Sequence, residues 1–421
     1  MVNFWEEMRW RGQLGSHTPD IGELSGKGLK SYIGFDPTAA SLTIGNLVTV
    51  VLLRRWQLAG NIPIVVMGGA TGKIGDPSGK DQERQLLDYD TIEANIQRQL
   101  LQMRRLLDFE GECAAVAVNN ADFYATMDVF SFLRDVGKNI TINYMLSKDS
   151  VKSRQDQGMS FTEFSYQIIQ GYDFQYLYQH QNCQLQMGGA DQWGNITTGL
   201  EFIRKQGGHA HGMVCPLLTK ADGKKFGKSE SGNIWLDVNM TTPYEFYQFW
   251  LNANDSDLPK LWRTFSFKNQ AEIEALELLS PQEQKRHLAE ELTDWIHGNA
   301  ARLSAQSATK LVFDSNVSYS FLTSLSAAEL QSAANTIGYV EVDANALADG
   351  IGILDLLLLN KSVTGLSTNS EARRAIQVKA IAVNTELVNS PTYIVTKRDL
   401  IHGKFILLQN GRKKKFMVIV R

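Results

Sequence analysis

Two short segments of the sequence carry residue types that could bind a phosphate chain. The later segment, Lys224-Lys225-Phe226-Gly227-Lys228-Ser229, places several ammonium groups on a glycine-containing loop. Such groups suit a triphosphate whose negative charge grows in a transition state. The earlier segment, Leu42-Thr43-Ile44-Gly45-Asn46-Leu47, leads into a predicted helix at Leu47–Leu58. Because lysine-rich strings are also common as exposed basic loops, the later segment alone does not settle a function.

Three polar side chains share one face of a predicted helix. Tyr166, Gln170 and Asp173 are spaced i, i+4 and i+7, which aligns them along a helix. Together they could hold the ammonium group and a distal hydroxyl of an amino acid. The same spacing is typical of a solvated polar face, so the residues alone leave both interpretations open.

A glycine-rich turn, Gly188-Gly189-Ala190-Asp191-Gln192, follows a predicted strand at Cys183–Met187 and precedes a predicted helix. Glycines let a ligand approach the backbone closely, and an aspartate is a natural acceptor for ribose hydroxyls. A simple tight turn would have a similar composition. Two other glycine-rich stretches, residues 68–73 and 75–80, lack the spacing of a P-loop, which excludes that class of NTPase.

Strands and helices alternate in the part of the chain that must position these residues. Leu29–Phe35 and Pro63–Met67 are predicted strands, and Leu47–Leu58 and Thr91–Leu107 are predicted helices. This alternation predicts an α/β fold with a doubly wound parallel sheet. Ligands of such sheets bind beyond the carboxyl ends of the strands, where the glycine-rich turns fall.

Composition favours a cytoplasmic enzyme or binding protein. A chain of 421 residues and 47.1 kDa exceeds one compact core, so two or three domains are expected. The three cysteines are widely spaced, which fits a reducing compartment, and no metal-type spacing is present. The acidic N-terminus does not resemble a signal peptide, and the longest apolar run is too short to span a bilayer, so no membrane partner is expected.

The second half of the chain has a different pattern. Residues 243–330 are predicted to be helical, and residues 331–349 are predicted to be a linker of small residues. Residues 350–421 contain 12 basic and 4 acidic side chains, a helix at Ser367–Gln377 and a hairpin at Phe405–Val420 that turns at Asn410-Gly411. The local net charge of +8 indicates either a polyanion partner or a solvated basic surface.

Taken together and in this order, these segments resemble the bacterial tyrosyl-tRNA synthetases. The resemblance covers nearly the whole chain, including the segments 34–38, 68–80, 160–174, 188–197, 220–232 and 243–251. It implies a class I synthetase that joins L-tyrosine to tRNA(Tyr) with ATP and Mg²⁺, usually as a homodimer. The implied architecture is a Rossmann-type parallel-sheet catalytic domain, an α-helical domain and a small α+β RNA-binding domain.

The resemblance also implies domain boundaries. The catalytic domain would span residues 1–219, with a dimer interface at about 120–150, and a mobile loop and connection would follow at 220–242. The anticodon-side helical domain would span residues 243–330. The linker would lie at 331–349 and the RNA-binding domain at 350–421. It implies no protein-bound metal site.

The resemblance assigns roles to individual residues. Tyr32 and Asp173 would hold the phenolic hydroxyl of tyrosine. Asp76, Tyr166 and Gln170 would hold its ammonium group, with Gln192 near its carboxylate. ATP or its ribose would contact Asp36, Thr38, Gly45, Asp191 and Lys228. Catalysis and release of pyrophosphate would depend on Thr38, Thr43, Asn46, Lys80, Arg84, Lys225, Lys228 and Ser229.

One segment departs from the family pattern. The family signature His-Ile-Gly-His is replaced by Thr43-Ile44-Gly45-Asn46, which offers a hydroxyl and an amide but no cationic ring. Losing one donor from a preorganised site costs about 3 kcal/mol of transition-state stabilisation. Three hypotheses follow: a working tyrosyl-tRNA synthetase, a paralogue that passes activated tyrosine to another acceptor, and a non-catalytic RNA-binding protein.

Overall fold

The computed structural model describes residues 3–78, 86–152, 158–219, 226–229, 232–314, 317–411 and 414–421. Of Lys228 and Ser229 it describes the backbone only. The chain forms two compact units, one of Met1–Thr242 with Phe249–Leu292 and the other of Pro243–Gln248 with Thr293–Arg421. No helix in the described ranges is both long enough and apolar enough to cross a membrane.

A five-stranded parallel sheet forms the core of the first unit, as the alternation of strands and helices predicts. Its order is β3-β2-β1-β4-β5. The strands are β1 (Lys30–Phe35), β2 (Ile62–Met67), β3 (Val116–Asn119), β4 (Cys183–Gly189) and β5 (His211–Cys215). The strand order reverses between β1 and β4, and ligands of doubly wound sheets bind at such a switch point.

Helices accompany this sheet in the first unit. They are α1 (Phe4–Trp10), α2 (Ile44–Leu58), α3 (Tyr89–Leu106), α4 (Val129–Ser131), α5 (Ile142–Leu146), α6 (Asp149–Lys152), α7 (Phe161–Gln181) and α8 (Trp193–Lys205). Of these, α2, α7 and α8 pack on its strands. Side-chain N-caps begin α2, α3 and α7 at Thr43, Asp88 and Ser160. Helix α2 buries its apolar side chains against β1 and β2. It begins at Ile44, three residues before the predicted start.

Two short strands and four helices follow in the chain: β6 (Lys228–Ser229), β7 (Gly232–Asn233), α9 (Pro243–Leu251), α10 (Leu258–Phe265), α11 (Gln270–Glu277) and α12 (Pro281–His297). Within the first unit, Phe226 packs its ring on Phe249, Trp250 and Phe265 at centroid distances of 5.3, 5.8 and 6.0 Å. These aromatic contacts anchor the start of the lysine-rich loop at Phe226.

The second unit is built on a five-stranded sheet of order β11-β10-β13-β14-β8. Its helices are α13 (Asn299–Phe313), α14 (Tyr319–Ser324), α15 (Ala327–Ile337), α16 (Ala344–Ala348), α17 (Ile353–Leu358), α18 (Lys361–Thr364) and α19 (Asn369–Gln377). Its strands are β8 (Tyr339–Val342), β9 (Ile351–Gly352), β10 (Ile381–Val383), β11 (Glu386–Leu387), β12 (Ile394–Val395), β13 (Phe405–Asn410) and β14 (Lys414–Val420). Strands β13 and β14 pair antiparallel from Phe405↔Ile419 to Asn410↔Lys414, which confirms the predicted hairpin.

Both faces of this hairpin are buried. Leu407 and Met417 belong to a cluster with residues of α13, α14 and α15, whereas Leu408 and Phe416 belong to a cluster with α17 and α19. Alternate residues of a strand point to opposite faces, so a sheet covered on both sides has a continuous apolar sequence. Lys415 is buried in the same strand and donates its ammonium hydrogens to the carbonyls of Leu311 and Asp314 at the end of α13.

The compact units do not coincide with the boundaries expected from the sequence. The predicted helical region, 243–330, is divided between the two units. The predicted linker, 331–349, contains the end of α15, β8 and α16, and the side chains of Val340 and Val342 are buried. The reason is the alternation in Tyr339–Val342: β8 pairs in parallel with β14 and buries every second residue.

Candidate active site

A cavity of about 520 Å³ lies at the carboxyl ends of β1 and β4. Its volume falls in the range of small-molecule sites. The predicted site residues that line it are Tyr32, Asp36, Thr38, Gly45, Asn46, Asp76, Tyr166, Gln170, Asp173, Asp191 and Gln192. Residues separated by more than 150 positions in the chain therefore meet at the switch point of the sheet.

One end of the cavity is closed by two buried groups that could recognise a phenol. Tyr32, on β1, is 1% exposed, and its hydroxyl has no hydrogen-bond partner in the described part of the chain. The buried Asp173, on α7, accepts a hydrogen bond of 2.9 Å from Asn120 Nδ2. Its other oxygen lies 2.7 Å from the Tyr124 hydroxyl. An unpaired buried hydroxyl is unfavourable, so this end suits a ligand with a polar tip.

Burial sets the protonation states at this end. It raises the pKa of Asp173 to about 7, against the opposing effect of the hydrogen bonds from Asn120 and Tyr124. It also raises the pKa of Tyr32 well above its ordinary value, with a further contribution from the nearby Asp173. Tyr32 therefore remains a hydrogen-bond donor, whereas Asp173 changes between donor and acceptor near neutral pH.

A second group of acidic side chains lines the middle of the cavity. The hydroxyl of Tyr166 donates to Asp36 at 2.8 Å, and Thr71 donates to the other oxygen of Asp36 at 2.7 Å. The amide of Gln192 donates to Asp76 at 2.6 Å. The hydrogen-bond donors to both carboxyl groups are neutral side chains, and such a pair of carboxyl groups suits a cation such as an ammonium group.

The hydrogen bond from Tyr166 brings Asp36, an expected nucleotide contact, next to a residue assigned to the ammonium group. The close fit of this corner depends on Gly68, since a Cβ atom there would overlap Asp36 Oδ1 and lie 2.6 Å from Thr71 Oγ1. Gln170 accepts a hydrogen bond of 2.9 Å from the buried Asn195. Asn195 also reaches Gln192 at 3.2 Å.

The outer part of the cavity is more open and mixes polar with apolar groups. Thr38 and Asp191 are exposed there, and Leu217 and Leu218 form an apolar wall. Asp191 follows β4 directly, at the carboxyl edge of the sheet. A ligand with both hydroxyl groups and an apolar ring could bond to the polar side chains and pack on the leucines.

The segment at residues 43–46 forms a closed capping box at the start of α2. The Thr43 hydroxyl accepts from the backbone N–H of Asn46, and Asn46 Oδ1 accepts from the backbone N–H of Thr43 at 2.9 Å. The Thr43 hydroxyl also lies 2.8 Å from Asn46 Oδ1. Gly45 and Asn46 line the cavity, whereas Thr43 does not. Such reciprocal bonds stabilise a helix start and fix the orientation of both side chains.

Gly227 of the lysine-rich segment lies against this helix start. Gly227 is buried with φ +92°, and a Cβ atom built on it would lie 3.4 Å from the backbone nitrogen of Gly45. Ile234 donates its N–H to Gly227 O, and Ile44 donates its N–H to Ile234 O. Strand β6 brings the backbone of Lys228 and Ser229 into a pair with β7. The predicted residues Lys80, Arg84 and Lys225 lie outside the described residues, as do the side chains of Lys228 and Ser229.

Sequence reasoning missed four polar residues that hold the predicted ones: Thr71, Asn120, Tyr124 and Asn195. Their positions depend on how separate strands and helices meet, so spacing along the chain carries no signal for them. The one local signal is at Asn120, which directly follows β3 at the carboxyl edge of the sheet.

Comparison with known proteins agrees with this geometry. The family model of class I tRNA synthetases (W and Y) matches residues 25–314, and the tyrosine--tRNA ligase SYY-like C-terminal domain matches residues 329–418. The tyrosine--tRNA ligase of Porphyromonas gingivalis is 44% identical over 434 positions, and that of Bacteroides thetaiotaomicron is 43% identical over 435. Both alignments cover 100% of each chain.

The crystal structure of a C-terminally truncated mitochondrial tyrosyl-tRNA synthetase from Aspergillus nidulans is also similar. It has a TM-score of 0.65 and 27% sequence identity, covering 74% of this chain and 95% of that one. Full-length similarity above 40%, two matching domain models and a Rossmann-like sheet with the site at its switch point all agree. The chain belongs to the tyrosyl-tRNA synthetase family of class I aminoacyl-tRNA synthetases.

Proposed function

We propose that this chain activates L-tyrosine with MgATP and transfers the tyrosyl group to the 3′ end of tRNA(Tyr). The observation that carries the proposal is the closed end of the cavity, where the unpaired Tyr32 hydroxyl and the Asp173 carboxyl are buried together. A tyrosine phenol would donate to Asp173 and accept from Tyr32. The Tyr32 hydroxyl would then be paired, and Asp173 would gain a third donor beside Asn120 and Tyr124.

This arrangement supplies specificity against phenylalanine. A phenylalanine ring would leave Tyr32 and Asp173 buried without a ligand partner. Sites built to hydrogen-bond a substrate hydroxyl reject the analogue without it by about 10⁵, a value established for this enzyme family and not obtained from this structure.

The middle of the cavity supports binding of the amino-acid ammonium group. Asp36 and Asp76 provide negative charge, and Tyr166 and Gln192 fix the orientation of these carboxylates. Gln170 lines the same cavity, and its Oε1 accepts from Asn195. The tyrosine carboxylate would then point toward the open, nucleotide-binding part of the cavity.

Activation is an in-line displacement at the α-phosphorus of ATP. A tyrosine carboxylate oxygen forms the new bond to phosphorus, the bond to the β-phosphate oxygen breaks, and pyrophosphate leaves. In the second step a ribose hydroxyl at the tRNA 3′ end attacks the tyrosyl carbonyl, and AMP leaves. Positioning and charge stabilisation carry both steps. The carboxylate that attacks in the first step is already ionised, and in the second step the proton of the ribose hydroxyl passes to the phosphate of the departing AMP.

Thr38, Gly45, Asn46 and Asp191 are proposed contacts for the nucleotide. Because Thr43 occupies the oxygen of the Asn46 amide, the Nδ2 group remains to donate to a phosphate oxygen. Lys80, Arg84, Lys225, Lys228 and Ser229 are proposed to stabilise the leaving pyrophosphate. The position of Gly227 against Gly45 supports this, because it brings that residue of the lysine-rich segment to the start of α2.

A homodimer is proposed through residues 120–150. Four apolar side chains in this stretch are strongly exposed, namely Val129 (62%), Phe130 (79%), Leu133 (53%) and Ile142 (68%). A cluster of exposed large apolar side chains marks an interaction surface.

The C-terminal unit is proposed to bind tRNA in the cytoplasm. Helix α19 exposes Arg373 and Arg374, while Ala372 and Ile376 are buried on its opposite face. Exposed arginines on one side of a helix suit a phosphate backbone.

Two linked assays test the proposal. Tyrosine-dependent ATP–pyrophosphate exchange reports activation, and charging of tRNA(Tyr) reports transfer. We expect both to be positive, with phenylalanine inactive as a control substrate. Exchange without charging would favour the paralogue with another acceptor, and no exchange would favour a non-catalytic RNA-binding protein.

A further inference from the structure

A cluster of two histidines and one aspartate lies at the edge of the parallel sheet opposite the cavity. His211 is the first residue of β5, and His209 precedes it by two positions. Asp20 comes from the segment that follows α1. None of the three lines the cavity at the carboxyl ends of the strands. The cluster is therefore separate from the proposed catalytic site.

The three side chains converge on one point. His209 Nε2 lies 2.7 Å from one oxygen of Asp20, and His211 Nδ1 lies 3.4 Å from the other. One ligand atom from each residue lies within 4.8 Å of the others. Tetrahedral zinc with bonds of about 2.0–2.2 Å holds neighbouring ligand atoms about 3.3–3.5 Å apart. The distance of 3.4 Å between His211 and Asp20 already matches this spacing. A small rotation of the exposed His209 ring would lengthen the 2.7 Å distance between His209 and Asp20 to the same value.

Backbone hydrogen bonds hold the two sides of the cluster together. The segment before Asp20 runs along β5, and it is fixed there by the bonds Gly15 N–H to Val214 O, Val214 N–H to Ser16 O and Thr18 N–H to Gly212 O. The His211 side chain is 8% exposed, whereas that of His209 is 71% exposed. One ligand is thus rigid and buried, and another can adjust at the surface.

We propose that Asp20, His209 and His211 form a binding site for a divalent transition-metal ion of the zinc class. Two imidazoles and one carboxylate are ligands that such ions prefer, and the exposed side leaves a fourth position for water. The bound ion would fasten the segment at residues 15–20 to the first residues of β5.

The charge around the cluster also suits a cation. Asp20 and Glu23 supply negative charge beside His211.

The test is calorimetric titration of the full chain, first stripped with a chelator, with ZnCl₂. We expect one equivalent to bind, and His209→Ala to weaken the affinity at least tenfold. His287→Ala is the matched control, because His287 forms an exposed pair with Glu290 at 3.6 Å that belongs to no three-ligand group among the described residues. Its affinity should equal that of the wild type.

Thermal unfolding gives a second readout, since an ion that binds only the folded state raises Tm. Zinc should raise Tm of the wild type and of His287→Ala, but not of His209→Ala or Asp20→Asn. The exposed position of His209 makes its replacement compatible with folding. No binding by the wild type, or equal affinity and equal Tm shifts in wild type and His209→Ala, would overturn the proposal.

Discussion

The tyrosine end of the cavity and the start of α2 are built in opposite ways. At the tyrosine end, buried polar groups from different elements hold one another, as in the bond from Asn120 to Asp173. At the start of α2, Thr43 and Asn46 hold each other locally, and Asn46 is exposed. A buried network tolerates little change because any loss leaves an unpaired group, whereas a local cap can be replaced by another local cap. The departure from the family signature therefore lies at the start of α2, where a substitution leaves no buried polar group unpaired.

The largest effect is expected from Asp173→Asn. This change keeps the shape of the side chain but removes the charged acceptor for the phenol. We expect kcat/KM for tyrosine in the exchange assay to fall by about 10²–10³, because a buried hydrogen bond to a charged group is worth about 2–4 kcal/mol. Tyr172→Phe, at the neighbouring position of α7, is the control and should stay within about twofold. A fall of less than tenfold for Asp173→Asn would contradict the assignment of the phenol pocket.

The next effect is a pH dependence that belongs to the tyrosine end. Because the pKa of Asp173 is raised to about 7, the ionised acceptor forms only as pH rises through neutrality. We expect kcat/KM for tyrosine to increase about tenfold from pH 6 to pH 8, since one pH unit below the pKa removes about nine-tenths of the ionised form. The increase should vanish in Asp173→Asn. A flat wild-type profile would show that the ionised carboxylate is not required.

A smaller effect, of opposite sign, is expected from restoring both signature histidines. The double change Thr43→His with Asn46→His adds imidazole donors for the phosphates and removes the capping box. We expect the exchange rate to rise several-fold while the free energy of unfolding falls by about 1 kcal/mol, measured by urea denaturation. An unchanged or lower rate would show that the site has been rebuilt around the present residues.

The smallest effect is expected from Thr43→Val. The change removes the hydroxyl that accepts from the Asn46 N–H, so the free energy of unfolding should fall by about 1 kcal/mol. The exchange rate should fall only about threefold, because the Asn46 amide remains. Thr323→Val, on α14 and away from the cavity, is the control for the loss of an exposed helical hydroxyl. A hundredfold loss of exchange for Thr43→Val would show that the start of α2 is as sensitive to substitution as the tyrosine end of the cavity.

Sequence patterns predicted the elements and one face of the site well. The helical spacing of Tyr166, Gln170 and Asp173 does bring all three into the cavity. The alternation of strands and helices correctly predicted the parallel sheet. These features depend on local periodicity, which a sequence contains directly.

Features that depend on tertiary contact could not be predicted in the same way. Asn120 reaches Asp173 only because β3 ends beside α7 in space, and Asp20 reaches His211 only because the chain folds back along β5. The pair His209-Ala210-His211 is the one local sequence signal of the proposed metal site. In residues 331–349 the end of α15 is rich in small side chains, and the strand β8 that follows has only four residues, so the sequence pattern there gives a weak signal of regular structure.

The burial of Lys415 changes how the basic C-terminal unit should respond to salt. Each phosphate that a protein neutralises releases counterions, so the logarithm of the binding constant falls with the logarithm of salt concentration in proportion to the number of cations engaged. Lys415 is counted in the local charge of +8, but its hydrogens are donated to two carbonyls at the end of α13. The slope for tRNA binding should therefore fall short of the value that the charge count implies, and Lys415→Met should lower the stability of the unit while leaving that slope unchanged.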